Sequence, residues 1–290
     1  MDTRRHARVE PAQRALRDIS RTAACALSLL LALMAPPYSA SRADLHMGAA
    51  SAQTAIATLR IEAGDGDYLA WADNRLAGPI EVILRPGAGN TVPSDPPLPA
   101  RASVEALGST LVARLRPASG RSGSLRLSLQ AVPGSSNARP RDIEYLPPLQ
   151  GQARIDQGFG GSFSHDDEQN RHALDFAADI GTPVFAARAG TVMQVEAGFR
   201  ASGLASGDAR GRANFIRLLH DDGSMALYAH LSVDGVQVRI GQQIQAGQRI
   251  GLSGNTGFST GPHLHFAVQV NRSMQLVSIP FRMRGVALAR

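Results

Sequence analysis

Short runs in which apolar and polar residues alternate recur from about residue 54 to residue 285. Each run is cut off by glycine, proline or a cluster of small polar residues. A period of two marks strands with one packed face and one wet face, and such frequent breakers leave little room for helices of ordinary length. Residues 58–62, 80–85, 111–115 and 125–129 alternate in this way. The chain of 290 residues carries 29 Gly and 17 Pro, and its aromatic content is only 5%. An all-β protein is therefore expected, with cores built from Val, Leu, Ile and Ala.

Three segments differ in character. Residues 1–43 read as a signal peptide. Seven Arg lead into and flank an apolar run at 23–35, Pro36-Pro37 breaks it, and small residues for cleavage follow at 38–40 or 41–43. That run is shorter than the roughly 20 residues that span a bilayer. An uncleaved N-terminal membrane anchor is the alternative. Either reading exports the rest of the chain, with the periplasm or cell envelope favoured over full secretion. Cys25 is the only cysteine and precedes the bulk of the apolar run. Cleavage would thus leave no disulfide and no thiol chemistry.

Residues 44–140 are expected to form a small accessory β-sandwich-like domain and its linkers. Residues 44–53 and 134–140 are linkers by composition, and 93–99 is a proline-rich loop. No constellation of His, Asp or Glu stands out there. Residues 141–290 are expected to form a second, antiparallel β-sheet domain. Six of the eight His fall between 165 and 265. Residues 214–219 and 225–230 flank Asp221-Asp222-Gly223-Ser224, a hairpin signal.

The net charge of +6 suggests nucleic acid at first sight. Residues 1–43 account for most of it, and the remainder holds 23 basic against 21 acidic residues. No basic stripe with interleaved aromatics is present, which argues against nucleic-acid binding. Every basic residue is Arg.

The chemistry-bearing residues cluster late in the chain. In His263-Leu264-His265-Phe266 the alternation of a strand puts both imidazoles on one face and both apolar side chains on the other. A chance exposed pair is the bland alternative. His230 ends a run whose alternation groups it with Ala226 and Tyr228; a surface His at a strand end is the commoner case. Asp175 sits in the apolar run 173–177, where an acid is costly to bury unless paired or metal-bound. A structural ion pair with one of the many Arg is the alternative. Jointly, two or three His and one carboxylate make a zinc site completed by water. Zinc lowers the pKa of that water toward about 7. A nearby unliganded His can then move protons.

Residues 175–184, 228–231 and 254–266 resemble the lysostaphin/LytM-type zinc endopeptidases of peptidoglycan. The resemblance spans roughly residues 145–270. It implies an antiparallel β-sheet peptidase domain with a cleft, and hydrolysis of peptides in peptidoglycan cross-links by a metal-activated water. Asp175 and His265 would be zinc ligands. His263 and His230 would be the unliganded catalytic imidazoles, one a general base and one stabilising the oxyanion.

The first His ligand departs from the pattern. The usual His-x-x-x-Asp would place it at 171, which is Arg. His172 lies at an odd offset from Asp175 and would point the other way on a regular strand. His165, ten residues before Asp175, could be brought in by the loop 166–171. The face argument favours His165; a bulge near Ala173 would favour His172.

Two further readings compete. A catalytically inactive relative would bind and activate another wall hydrolase, but such proteins typically lack ligand residues. Residues 182–195 and 238–252 resemble the hairpins of lipoyl and biotinyl carriers, which need an attachment Lys that this chain lacks; a non-catalytic wall-binding protein is what survives of that reading. The stretch 198–212, rich in Gly, Ala, Ser and Arg, is expected to border the cleft and limit access.

Overall fold

In the N-terminal part the alternating runs build two sheets that face one another. The computed structural model describes residues 56–117, 124–204 and 212–287, all within one compact unit, Ser41–Arg290. The signal segment expected at 1–43, with Cys25, and the linker at 44–53 lie outside the described residues. None of the described residues is helical, so no helix among them is long and apolar enough to cross a membrane. The all-β expectation holds.

The first sheet orders Ala57–Ala63, Tyr68–Asn74, Ser109–Leu115 and Ser94–Asp95; the second orders Ala100–Val104, Ile80–Pro86 and Leu127–Pro133. Ile80, Val82 and Leu84 point inward and are fully buried, against Ala70, Ala72 and Leu115 from the facing sheet. Each large aliphatic side chain removed from water here contributes about 1.5–3 kcal/mol.

The C-terminal part centres on an eight-stranded sheet. Its order is Gln243–Ile244, Gly190–Glu196, Phe215–Leu219, Met225–Ala229, His263–Asn271, Ala173–Ala177 and Ile155–Gln157, with Leu276–Ser278 also paired to His263–Asn271. Phe215–Leu219 and Met225–Ala229 form the hairpin expected across 221–224. All the pairings named here are antiparallel. Glu144–Tyr145 with Arg282–Met283 is the parallel exception.

The sheet's two faces are used differently. One buries Leu174, Phe176, Ile216, Leu218, Tyr228, Leu264 and Phe266, and a three-stranded sheet of Pro183–Phe185, Arg249–Ser253 and Leu231–Val236 adds Val184, Ile250 and Leu231 to that core. Tyr228 and Phe266 meet edge-on at 5.1 Å, the geometry aromatic quadrupoles favour. On the other face, Met193 and Met225 are fully buried in the core of the N-terminal sandwich. Backbone bonds join the two parts at Ala77 N to Met193 O (3.1 Å), and the Asn271 side chain donates to Gly134 O (2.9 Å).

The segment 134–140 is not the free spacer its composition suggests. Ala138 is buried, Arg139 N donates to Asp222 O at 3.0 Å, and Arg141 N donates to the Asp222 carboxylate at 3.0 Å. Small residues were needed for close approach: at Gly134, with φ +86°, a Cβ would lie 2.7 Å from the Met225 methyl.

Candidate metal centre

Strand register assembles the site. Asp175 stands directly opposite His265 on the neighbouring antiparallel strand. The flanking Leu174, Phe176, Leu264 and Phe266 all turn into the core, so alternation delivers the carboxylate and the imidazole to the opposite face. His265 Nδ1 lies 2.9 Å from Asp175 Oδ1.

His165 arrives from the loop between Ile155–Gln157 and Ala173–Ala177, and it is fully buried. Its Nδ1 donates to Gly158 O at 2.8 Å. That bond turns Nε2 toward Asp175 Oδ1, 3.3 Å away, where it has no hydrogen-bond partner. One ligand atom from each of His165, Asp175 and His265 lies within 4.8 Å of the others. Donors at zinc bond lengths around a tetrahedron sit about 3.4 Å apart. A buried bare nitrogen, a carboxylate and a second imidazole at these spacings fit a zinc ion.

The structure does not bring His172 to this cluster. Its Nδ1 bonds Ser278 O at 3.1 Å, and its ring meets Phe159 edge-on at 5.4 Å. The register with His263–Asn271 runs unbroken from Ala173 to Ala177. The one shift lies between Asp175 and Phe176, on the side facing Ile155–Gln157.

His230 and His263 complete a group of four imidazoles. Their ring centroids are 4.6 Å apart, and His230 is 5.8 Å from His265. His263 follows the expected alternation. His230 does not. The alternation that groups it with Ala226 and Tyr228 would bury it in the core, where both of those residues are fully buried. Instead it lies just past the strand Met225–Ala229 with φ 62°. This left-handed residue is where the chain leaves the large sheet for the small one, and the turn swings the ring to the site. Such a conformation costs a non-glycine residue about 1–3 kcal/mol.

The loop 254–262 orients both rings. His230 Nδ1 donates to Thr256 O at 2.7 Å, and His263 Nδ1 to Gly261 O at 2.8 Å with Ser259 Oγ at 3.2 Å. Anchoring Nδ1 fixes the tautomer and leaves Nε2 as the acceptor. Gly257, with φ +90°, is required in this loop, because a Cβ would stand 2.2 Å from Arg212 O.

Burial alone would raise the Asp175 carboxyl, but the His165 and His265 rings beside it outweigh that and hold the group well below the usual carboxylate range. Burial, with His263 and His265 alongside, pushes His230 down to about 3.

The cluster lies in a groove of about 1650 Å³ that runs over Leu227, Arg217 and Gln194 to Ala131 and Val132 of the sandwich. Phe163, exposed, stacks on Phe258 at 6.3 Å at the rim. Of the stretch 198–212, residues 205–211 lie outside the described residues. Its first part is tied to the orienting loop: Gly257 N donates to Ala201 O at 2.8 Å.

Two lining residues were not singled out from sequence. Gln157 Nε2 donates to Ser164 Oγ at 2.7 Å and lies 3.5 Å from the second Asp175 oxygen; a lone Gln carries no signal. Arg217 sits between apolar neighbours in a strand and reads as an ordinary wet-face residue. His220, the sixth His of the region, is buried elsewhere, with Nδ1 on Ala189 O at 2.7 Å.

Residues 169–276 match the sequence profile of peptidase family M23. The span holds Asp175, His230, His263 and His265, and begins four residues after His165. Among curated relatives, an uncharacterized metalloprotease of Haemophilus influenzae is 37% identical over 127 residues, 43% of this chain and 24% of its own. Peptidoglycan DD-endopeptidase ShyA of Vibrio cholerae is 38% identical over 99 residues, 34% of this chain and 20% of its own. Lysostaphin of Staphylococcus simulans is 43% identical over 101 residues, 34% of this chain and 18% of its own. The matches thus span a quarter or less of these relatives' length. The chain carries a peptidase family M23 domain over residues 169–276.

Proposed function

We propose that the protein is an exported zinc endopeptidase that hydrolyses peptide bonds in peptidoglycan cross-links. The carrying observation is the convergence of His165, His263 and His265 on one oxygen of Asp175, at 3.3, 3.7 and 2.9 Å. His165, Asp175 and His265 would hold the metal. Zinc so held supplies a Lewis acid and a water of lowered pKa. His230 and His263 share the general-base and oxyanion-stabilising roles, each with Nδ1 committed to a backbone carbonyl and Nε2 available to a proton. The similarity to ShyA and lysostaphin supports peptidoglycan as the substrate and an envelope location, the periplasm over full secretion. Residues 44–140 act as an accessory domain and 141–290 as the catalytic one.

A binding-only relative that activates another hydrolase is less well supported, because such a protein has no use for a buried ligand set with its orienting bonds intact. The test is digestion of purified peptidoglycan by the full chain, with and without a zinc chelator, with products read by mass. Loss of cross-linked species that the chelator stops is expected. A folded, zinc-loaded protein that releases nothing would overturn the endopeptidase reading in favour of the binder.

A further inference from the structure

Among the described residues, Arg217 is a buried cation without a counter-ion. It is 8% exposed, and among the described residues it makes no ion pair. Its partners are neutral: Nη1 donates to Gln194 Oε1 at 2.7 Å and Nη2 to Gln269 Oε1 at 3.2 Å. Nε has no partner. The guanidinium also stands 5.6 Å from the Phe215 ring. Desolvation pushes its pKa down to about 10. Buried charges are ordinarily paired, because the loss of hydration is otherwise uncompensated. Gln194, Arg217 and Leu227 all line the groove that holds His263 and His265.

Register sets the distance. Arg217 pairs with Leu227 and Leu227 with Ala267, one same-face step along from the row of Phe215, Ala229 and His265. Strand rise and spacing put the Cα atoms of Arg217 and His265 about 12 Å apart. An extended peptide covers that span in about three residues.

We propose that Arg217, bracketed by Gln194 and Gln269, is a carboxylate-reading subsite that selects acidic peptides lying along the groove, with the carboxylate about three residues from the metal centre. The role rests on the groove being a peptide-binding site, as the proposed function requires. A planar guanidinium suits a carboxylate better than a point charge would.

The test uses the full-length zinc-loaded protein and two short peptides identical except for one internal Glu or Gln. Calorimetry reads affinity, and peptide mass after each titration reports separately whether any bond was cut. A protein that prefers the Glu peptide but cuts nothing would retain the subsite while removing the endopeptidase reading. The wild type is expected to bind the Glu peptide roughly tenfold to a hundredfold more tightly, the range of a hydrogen bond to a charged group. Arg217→Gln should erase that preference and leave the Gln peptide within about twofold of wild type. Equal weakening of both peptides, or an unchanged preference, would overturn the proposal. Gln194→Glu keeps the arginine and gives it an internal carboxylate, so it guards against misfolding of the first variant. It should lower affinity for the Glu peptide alone; wild-type affinity for both would count against the subsite.

Discussion

The sandwich and the large sheet meet in one packed unit, yet they bury different things. Among the described residues before 134, Asn74 is the only buried polar side chain, and all its polar atoms are used: the amide donates to Gly78 O, Val104 O and Glu105 O, and its oxygen accepts from Leu76 N. The sheet region buries His165, Asp175, Arg188, Arg217, His220 and His265 among others. Several keep an atom bare, as at His165 Nε2 and Arg217 Nε. Trp71 Nε1 shows that the sandwich also tolerates one bare donor. The contrast separates two uses of buried polarity. A satisfied group fixes a fold, whereas a cluster of charged groups with open valences awaits a ligand.

The sharpest way to break this contrast is Asp175→Ala. Zinc content should fall from one per chain to near zero, and peptidoglycan cleavage by more than about 100-fold. A protein that keeps its zinc would remove Asp175 from the ligand set. In the sandwich, Leu84→Ala should cost about 3 kcal/mol, a fall in thermal midpoint of roughly 6–12 °C. Zinc affinity should be unchanged; a parallel loss of zinc would mean that the two regions do not divide their labour as described.

The third effect, no larger than the second, concerns acid stability. Burial pushes His220 down to about 4, with Arg188, Asp221 and Asp222 nearby. Between its unfolded value near 6.5 and that folded value, the unfolded chain binds the extra proton. Stability therefore falls as pH drops through this window and is regained above it, by up to about 3 kcal/mol. Denaturant melts of wild type and His220→Gln should diverge in slope between pH 6.5 and 4. Curves that stay parallel would mean that this ring is protonated, or reached by water, in the folded state.

Much of the site was legible because strand alternation is a rigid rule. His263 and His265 face one way, and Leu264 and Phe266 the other, as a period of two demands. The sandwich strands at 58–62, 80–85 and 111–115 lie within observed strands for the same reason. His165 could be weighed against His172 because an odd offset reverses the face on a strand, although the loop that carries it has no pattern of its own. The position of His230 was not legible. Alternation holds only while the backbone stays extended, and a single left-handed residue at a sheet-to-sheet junction cancels it. Arg217 escaped notice for the opposite reason: its strand is regular, but sequence does not reveal that a second layer roofs part of the wet face. The spacer-like 134–140 shows the same limit, since small residues serve close packing as readily as flexibility.

Met193 and Met225 belong to the large sheet by chain and to the sandwich by packing. The two halves therefore cannot be exchanged like cassettes. A C-terminal half transplanted alone would carry two bare thioethers onto its surface, vulnerable to oxidation and prone to self-association. Any lineage that swaps the N-terminal half must recut this seam at the same time, so drift at Gly134, Met193 and Met225 is expected to be coupled.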